Sequence, residues 1–224
     1  MEAAGTLPAA VQALALRSGA GAAGPARQVR FTQEGRMRSG PSGRWMRFRA
    51  EQRMALDACA FDWTARVGPF GLVRVTDALE DGRGRLAVTM AGLPLMRAPA
   101  SPALDRGEVM RYLAELVWAP EAMLSNRHLR WQVAADGAEI TVSAREDAAV
   151  TFTLGGDGRV ASIFAPDRPM FTEGAYRPTP WFGRLAAYRA FSGYWLPCRA
   201  EVGWEIGGAQ VVCWEGSLTA WAMA

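Results

Sequence analysis

Hydrophobic and polar residues alternate along most of this chain. The clearest case is Phe61–Val67, where apolar and polar side chains exchange at every position. Because successive side chains of a strand point to opposite faces of a sheet, this pattern predicts a strand with one buried face. Residues 29–38 and 45–54 alternate in the same way and are separated by the turn-forming stretch SGPSGR, which predicts a β-hairpin.

The charges of this hairpin suggest its register. Placing Met37 opposite Met46 also places Glu34 opposite Arg49, and opposite charges on facing positions stabilise a strand pair. A slip of one residue would reverse the two faces. In the preferred register the arginines lie away from an apolar face. That apolar face consists of Phe31, Met37, Met46 and Phe48.

Further strands are predicted on both sides of turn-forming sequences. Residues 72–79 and 86–92 flank EDGRGR, and two later pairs of alternating runs are each joined by Asp-Gly, a strong hairpin signal. The C-terminal part reads as three strands with turns at 192–197 and 207–208. Residues 166–180 lack a pattern, and such a long irregular segment is typical of a functional loop.

These patterns together predict a mainly β, α+β fold. About 11 to 12 strands in sequential hairpins would form one large antiparallel meander, and a sheet of that width must curl or close. We therefore expect a half-barrel around a central helix. We divide the chain into an N-terminal helix with its linker at residues 1–26 and a single half-barrel domain at 27–224 that includes a helix at 106–118.

The N-terminal helix is predicted from its start signal and its apolar spacing. Thr6, Leu7 and Pro8 resemble a helix start with proline near the first helical position. Gly19, Gly21 and Gly24 then end the helix in a small-residue linker. We expect this helix to dock on the half-barrel as a lid or end-cap. Its expected apolar face is Leu7, Val11, Leu14 and Leu16.

The central helix is predicted to start at Asp105, which with Glu108 resembles a capping box. Its expected packed face is Val109, Tyr112, Leu113 and Leu116. A second stripe, Arg111, Glu115 and Trp118, has the spacing i, i+4, i+7. An arginine before a glutamate is the weaker order for an isolated helix, so helix stability does not explain the stripe. Either the stripe ties the helix to the sheet, or it binds the polar end of a ligand.

The amino-acid composition limits the classes of function and the location that we expect for this protein. Half of the 224 residues are hydrophobic and nine are tryptophan, which suits a large core or an aromatic pocket. All 25 basic residues are arginine, and residues 27–54 hold eight of them against two glutamates. This basic hairpin is either a solvated strand face or a surface for an anionic partner. Three cysteines without metal-like spacing and the absence of a long apolar run lead us to expect reduced thiols and a cytoplasmic location.

Several stretches resemble a bacterial domain family of unknown function. They are FTQEGRMR, WMRFRAEQ, FDWTARV, RYLAELVWAPEAML, LRW, SGYWLP and EVGW, of which RYLAE followed by Trp118 and Pro120 is the most specific. That family implies no activity or catalytic residue. The predicted half-barrel also resembles the lipoprotein-carrier class of periplasmic proteins, which implies an apolar ligand in a concave, aromatic-lined sheet; likeness of fold by itself does not establish this.

Three functions remain open. The first is non-catalytic binding of a lipid or another apolar small molecule, without a cofactor or a metal ion. Its candidate ligand-binding residues are Arg111, Glu115, Trp118, Trp63, Trp131 and Trp204. The second is an enzyme in which Glu115 near Arg111 acts as an acid or base, with Asp62 or His128 as helper. The third is an interaction module whose basic hairpin docks on an anionic surface, such as a membrane. Nucleic acid is disfavoured because the hairpin lacks interleaved exposed aromatic residues apart from Trp45.

Overall fold

A computed structural model describes residues 6–21, 26–40 and 42–224 of the chain. In these residues the N-terminal half contains helix α1 (Ala9–Arg17) and six strands, β1 (Gln28–Met37), β2 (Met46–Ala55), β3 (Phe61–Val67), β4 (Val73–Glu80), β5 (Arg83–Met90) and β6 (Leu93–Arg97). Helix α2 (Pro102–Ala114), a 3-10 turn (Glu115–Trp118) and helix α3 (Pro120–Ser125) follow. The remaining strands are β7 (Arg130–Val133), β8 (Glu139–Arg145), β9 (Ala148–Leu154), β10 (Val160–Thr172), β11 (Ala175–Phe191), β12 (Tyr194–Ile206) and β13 (Ala209–Met223).

All the described strands belong to one antiparallel sheet of thirteen strands. Its order is β6-β5-β4-β3-β2-β1-β13-β12-β11-β10-β9-β8-β7, so the first and last strands of the chain meet in its middle. The edge strands β6 and β7 are joined by α2, the 3-10 turn and α3. A sheet this wide must curl, and it forms the predicted half-barrel around the central helix. We call the face toward this helix the core face and the opposite one the outer face.

The predicted register of the first hairpin is confirmed. Met37 lies opposite Met46 and Glu34 opposite Arg49. Phe31 and Phe48 are buried on the core face, whereas Met46 at the hairpin end is 38% exposed. The hydrophobic pattern and the charge pairs therefore specify the same pairing.

Three predictions about strands are wrong. Residues 166–180 do not form a loop but the turn end of the β10–β11 hairpin, with a tight turn at Glu173 and Gly174. The irregular sequence is accommodated by a bulge between Ala165 and Arg168, the kind of site where a sheet tolerates proline. The turn predicted at 192–197 comprises only Ser192 and Gly193. Strand β6 was not predicted, because all its residues are exposed and its burial therefore does not alternate.

Helix α1 follows Pro8, as its start signal predicts. Its buried residues are Val11, Leu14 and Ala15, and Leu16 is 53% exposed, so the inclusion of Leu16 in the apolar face is wrong. The helix packs against α3, and the backbone N–H of Gly21 beyond it donates to Glu121 Oε1 at 2.8 Å. Gly24 and part of the predicted linker lie outside the described residues. None of the described helices has both the length and the apolar character needed to cross a membrane.

Candidate functional site

Helix α2 starts earlier than its sequence suggests. Ser101 is its N-cap, and the Ser101 hydroxyl accepts a hydrogen bond from the Leu104 backbone N–H at 3.2 Å. Asp105 is therefore not the cap. Its carboxylate instead accepts from the Gly84 backbone N–H at 2.8 Å and from Arg83 at 3.1 Å, which ties the first turn of the helix to β5.

The apolar side of this helix anchors it to one end of the strands. Val109, Tyr112, Leu113 and Leu116 are all buried, as predicted. The Tyr112 hydroxyl donates to the Ala55 carbonyl at the end of β2 at 3.0 Å. In the 3-10 turn, the Trp118 indole donates to the Pro197 carbonyl of β12 at 2.9 Å and its ring packs on Phe31. We call this the covered end of the core face.

Arg111 lies between the helix and the sheet among carboxylates and aromatic rings. Its guanidinium donates to Asp77 of β4 and to Glu115 Oε1, the latter at 3.0 Å, and its side chain is 17% exposed. The guanidinium carbon is 4.8 Å from the centre of the Phe61 ring and 5.0 Å from that of Trp63. Burial lowers the pKa of Arg111, but the neighbouring carboxylates outweigh it and the pKa is raised, so Arg111 stays charged.

Near Arg111 lie buried side-chain oxygen atoms that have no hydrogen-bond partner in the described part of the protein. They are Gln52 Oε1, Asp77 Oδ1 and Glu108 Oε2. Gln52 is 2% exposed and donates its amide to Glu115, and Glu108 is 5% exposed. Burial, and then the charge of Asp77, raises the pKa of Glu108 well above its usual range, which favours its protonated form. Once Glu108 is protonated it donates a hydrogen bond to Asp77, which pairs these two carboxyl groups. Gln52 Oε1 then remains the buried acceptor without a partner among the described residues, and because buried polar atoms are almost always hydrogen-bonded it indicates a site for another polar group.

A second arginine lies on the other side of Glu108. Arg168 of β10 donates to the Gly107 carbonyl at 3.3 Å. Its guanidinium carbon lies 5.1 Å from the centre of the Trp181 ring and 5.5 Å from that of Trp204. We call these residues the polar cluster. Its members are Gln52, Asp77, Glu108, Arg111, Glu115 and Arg168.

At the other end of the strands, away from Tyr112 and Trp118, the core face is less covered. Trp214 lies opposite Met37, and its ring stacks on Phe48 with the ring centres 5.5 Å apart. We call this region the uncovered end. Its half-buried apolar side chains are Met37, Val73, Val75, Val202, Trp204 and Trp214. The polar cluster therefore separates a closed core from a partly exposed aromatic surface.

The structure brings four of the six predicted site residues to this boundary. Arg111 and Glu115 belong to the polar cluster, and Trp63 and Trp204 each lie under one of its arginines. The other two do not join them: Trp118 packs in the covered end, and Trp131 lies on the edge strand β7, five strands along the sheet from Trp204. The ligand-binding role of all six stays a prediction.

The residues proposed as helpers of Glu115 do not converge on it. Asp62 points to the outer face, where it is exposed and pairs with Arg85 at 3.8 Å. His128 is exposed after α3, and its backbone donates to Asn126 Oδ1. The cluster described above therefore contains no imidazole. It holds carboxylates and guanidinium groups, which can bind a polar group of a ligand.

Sequence reasoning missed four members of the polar cluster, and it also missed Trp214 of the uncovered end. Asp77 and Gln52 had a usable signal, since each stands at a core-face position of an alternating strand where an apolar residue is expected. Glu108 was assigned to a capping box, and Arg168 to a loop. Only the pairing of β10 with β11 places Arg168 beside Trp181 and Trp204.

Three solved structures resemble this half-barrel. A LolA superfamily protein from Nitrosomonas europaea is 8% identical to this chain, with a TM-score of 0.49. The match covers 96% of this chain and 93% of that protein. A domain described as an outer membrane lipoprotein-sorting protein domain, from Vibrio parahaemolyticus, is 11% identical over 88% of this chain and 85% of its own, with a TM-score of 0.50. A DUF1329 family protein from Desulfovibrio piger is 8% identical over 97% and 92%, with a TM-score of 0.52. The last two likenesses show that this chain shares the half-barrel fold of those proteins.

The sequence places the chain in a family. Residues 1–216 match the family of unknown function DUF6544, and the chain belongs to that family. The resemblance of its sequence motifs to a domain family of unknown function is thereby confirmed. No curated protein matches the sequence.

Proposed function

We propose that this protein binds an amphipathic ligand of the lipid class without catalysis, with the apolar part on the uncovered end and the polar part at the polar cluster. The observation that carries the proposal is the position of a buried acceptor without a partner, Gln52 Oε1, and of the buried carboxyl pair Glu108 and Asp77 directly beside a half-buried aromatic surface. Ligand sites are typically apolar surfaces with a few well-placed polar groups, and this boundary has both.

The chemistry of the polar cluster favours a polar group that donates hydrogen bonds. Gln52 Oε1 is an acceptor without a donor among the described residues, whereas a protonated Glu108 donates to Asp77. Arg111 is already engaged by Asp77 and Glu115. A hydroxyl or amide group of a ligand would satisfy the Gln52 acceptor. The cluster then orients the ligand, and the tryptophans supply most of the buried area.

The solved structures add support from the fold. One of them is described as an outer membrane lipoprotein-sorting protein domain, and lipoproteins carry acyl chains. A curved sheet with an aromatic core face suits such chains. The cytoplasmic location predicted from the sequence is a separate proposal, which cell fractionation with an antibody to this chain would test.

The first experiment is native mass spectrometry of the freshly purified protein, followed by solvent extraction and titration with a dansyl-labelled undecanoic acid. We expect Trp204→Ala to weaken binding of this probe about tenfold, because truncation of a central aromatic contact commonly costs that much affinity. Trp195→Ala is the matched control, since Trp195 is on the same strand but 43% exposed on the outer face.

Equal losses in the two variants would contradict the proposed site, and the absence of any probe binding by the natural protein would contradict lipid binding. Gln52→Leu separates the two halves of the proposal. This variant removes the Gln52 acceptor, together with the amide that donates to Glu115, without shrinking the side chain, so a ligand that uses the polar cluster should bind it more weakly while the purely apolar part of the affinity persists.

A further inference from the structure

The outer face carries an arginine-lined groove that the proposed function does not use. The groove has a volume of about 1220 Å³ and runs across β3, β2, β1, β13, β12 and β11. One wall is the loop after β3, where Phe70 is 95% exposed with a φ of 59°. We call it the arginine groove. The arginines that line it are Arg36, Arg47, Arg49, Arg66, Arg184 and Arg199.

Strand register places several of these arginines directly against one another. Arg36 lies opposite Arg47, and Arg49 lies opposite Arg66. Like charges at facing positions destabilise a strand pair. The groove therefore keeps an arrangement that folding alone does not favour, and an anion bound between the facing side chains would relieve it.

Carboxylates neutralise only part of this charge. Arg36 forms a two-point pair with Glu215 at 2.7 and 3.0 Å, Arg49 lies 3.8 Å from Glu34, and Arg184 pairs with Glu201. These three glutamates are the acidic residues that line the groove, which leaves a net charge of +3. The arginines without a carboxylate within 4.0 Å, among the residues the structure describes, are Arg47, Arg66 and Arg199.

We propose that the arginine groove binds a ligand that carries two or more phosphate groups. The planar guanidinium group matches a phosphate in a two-point hydrogen bond, and a concave surface lined by one sign of charge strengthens the local potential. Arg47 and Arg66 stand on neighbouring strands, and Arg199 lies across the groove on β12. Charges distributed in this way suit several phosphate groups better than a single one.

The test uses inorganic tripolyphosphate and the full chain, with binding measured by isothermal titration calorimetry. The triple variant Arg47→Gln, Arg66→Gln, Arg199→Gln breaks no ion pair of the described residues, so we expect it to fold. Charge-assisted hydrogen bonds are the strong ones, so we expect its affinity to fall at least about 100-fold. Affinity of the natural protein should also fall steeply with added salt.

The matched control removes the same charge elsewhere. Arg30, Arg53 and Arg130 are exposed and lie outside the groove, and Arg30 faces Arg53 as Arg36 faces Arg47. Their triple change to Gln should alter the affinity by no more than about threefold, an effect of net charge alone. A loss as large as that of the groove variant would overturn the proposal, and so would a natural protein that does not bind tripolyphosphate.

Two sources of phosphate are distinguished by a second arm. Flotation with vesicles of phosphatidylcholine and phosphatidylglycerol tests a lipid headgroup. Binding to tripolyphosphate alone assigns a soluble phosphate ligand, and vesicle binding that the groove variant also loses assigns headgroups, with Phe70 placed to contact the bilayer. This site and the proposed lipid site fail separately, because Trp204→Ala should leave tripolyphosphate binding unchanged.

Discussion

The two ends of the core face are built from the same strands and similar residues, yet they differ in what covers them. At the covered end, Trp221 of β13 is 6% exposed and its indole donates to the Trp118 carbonyl at 2.8 Å. At the uncovered end of the same strand, Trp214 is half-buried and contacts Phe48. The difference lies in the helical segment, whose Tyr112 and Trp118 pack at the covered end.

This difference separates stability from binding. Buried aromatic residues with satisfied polar atoms contribute to the free energy of folding, whereas half-buried ones retain surface that a ligand can still cover. The polar cluster lies at the boundary between the covered end and the uncovered end. Its unpartnered acceptor, Gln52 Oε1, would be costly inside a closed core, and it becomes useful where a ligand reaches it.

The largest expected effect compares the two tryptophans of β13. We expect Trp221→Ala to lower the free energy of unfolding by about 4 kcal/mol, because it empties a closed region and removes a hydrogen bond. Trp214→Ala should cost only about 2 kcal/mol, since its ring is already partly in water. Urea unfolding followed by circular dichroism measures both. Equal losses would show that the uncovered end is as closed as the other.

The second prediction concerns the boundary itself. Removal of Arg111 leaves Asp77 and Glu115 buried without their cation, so we expect Arg111→Ala to lower the free energy of unfolding by about 3 kcal/mol. Arg27→Ala is the control, because Arg27 is exposed and 3.7 Å from Asp57. Its loss should be below about 1 kcal/mol.

Thermal and urea unfolding at neutral pH compare the two arginine variants. Ligand retention by Arg111→Ala, measured at a temperature where it is folded, distinguishes a tie between helix and sheet from a ligand contact. If Arg111→Ala were no less stable than Arg27→Ala, the polar cluster would be open to solvent, and the boundary would lie nearer to the helix than described.

Much of the fold could be predicted because its strands alternate under simple rules. The register of β1 with β2 follows from apolar spacing and one charge pair, and the structure has the same register. The start of helix α2 was predicted four residues too late, because Ser101 and Pro102 form a good start signal that competes with Asp105. The β10–β11 hairpin was missed because its prolines disfavour strands. The bulge between Ala165 and Arg168 accommodates Pro166, whereas Pro169 and Pro178 face each other in the strand pair.

The candidate site could be predicted only in part. Arg111 and Glu115 are close in sequence, so helical spacing brings them together. Arg168 joins them through a strand pairing at the far side of the sheet, and no local pattern reports such a contact. Which end of the core face is covered also depends on contacts between distant parts of the chain, because it is set by the position of the helical segment between β6 and β7. Local sequence patterns therefore predict the helices and strands, whereas the tertiary structure determines which tryptophans share a surface.

The smallest expected effect is a change in pH dependence at the polar cluster. The pKa of Glu108 is raised by burial and then by Asp77, against the partial opposition of Arg168 and Arg111. A raised pKa in the folded protein means that the stability from the protonated form is complete below the unfolded pKa of about 4.3 and is lost as the pH rises through the folded value. Glu108→Gln stays neutral and avoids this loss.

We therefore expect Glu108→Gln to be more stable than the natural protein in mildly alkaline solution, with the advantage shrinking as the pH falls toward 4.3. The measurement is the free energy of unfolding in urea across that range of pH. Glu51→Gln on the outer face of β2 is the control, because Glu51 is exposed there. Parallel curves for Glu108→Gln and the natural protein would mean that Glu108 is ionised in the folded state. The polar cluster would then carry one more negative charge and would select a cationic ligand group rather than a neutral one.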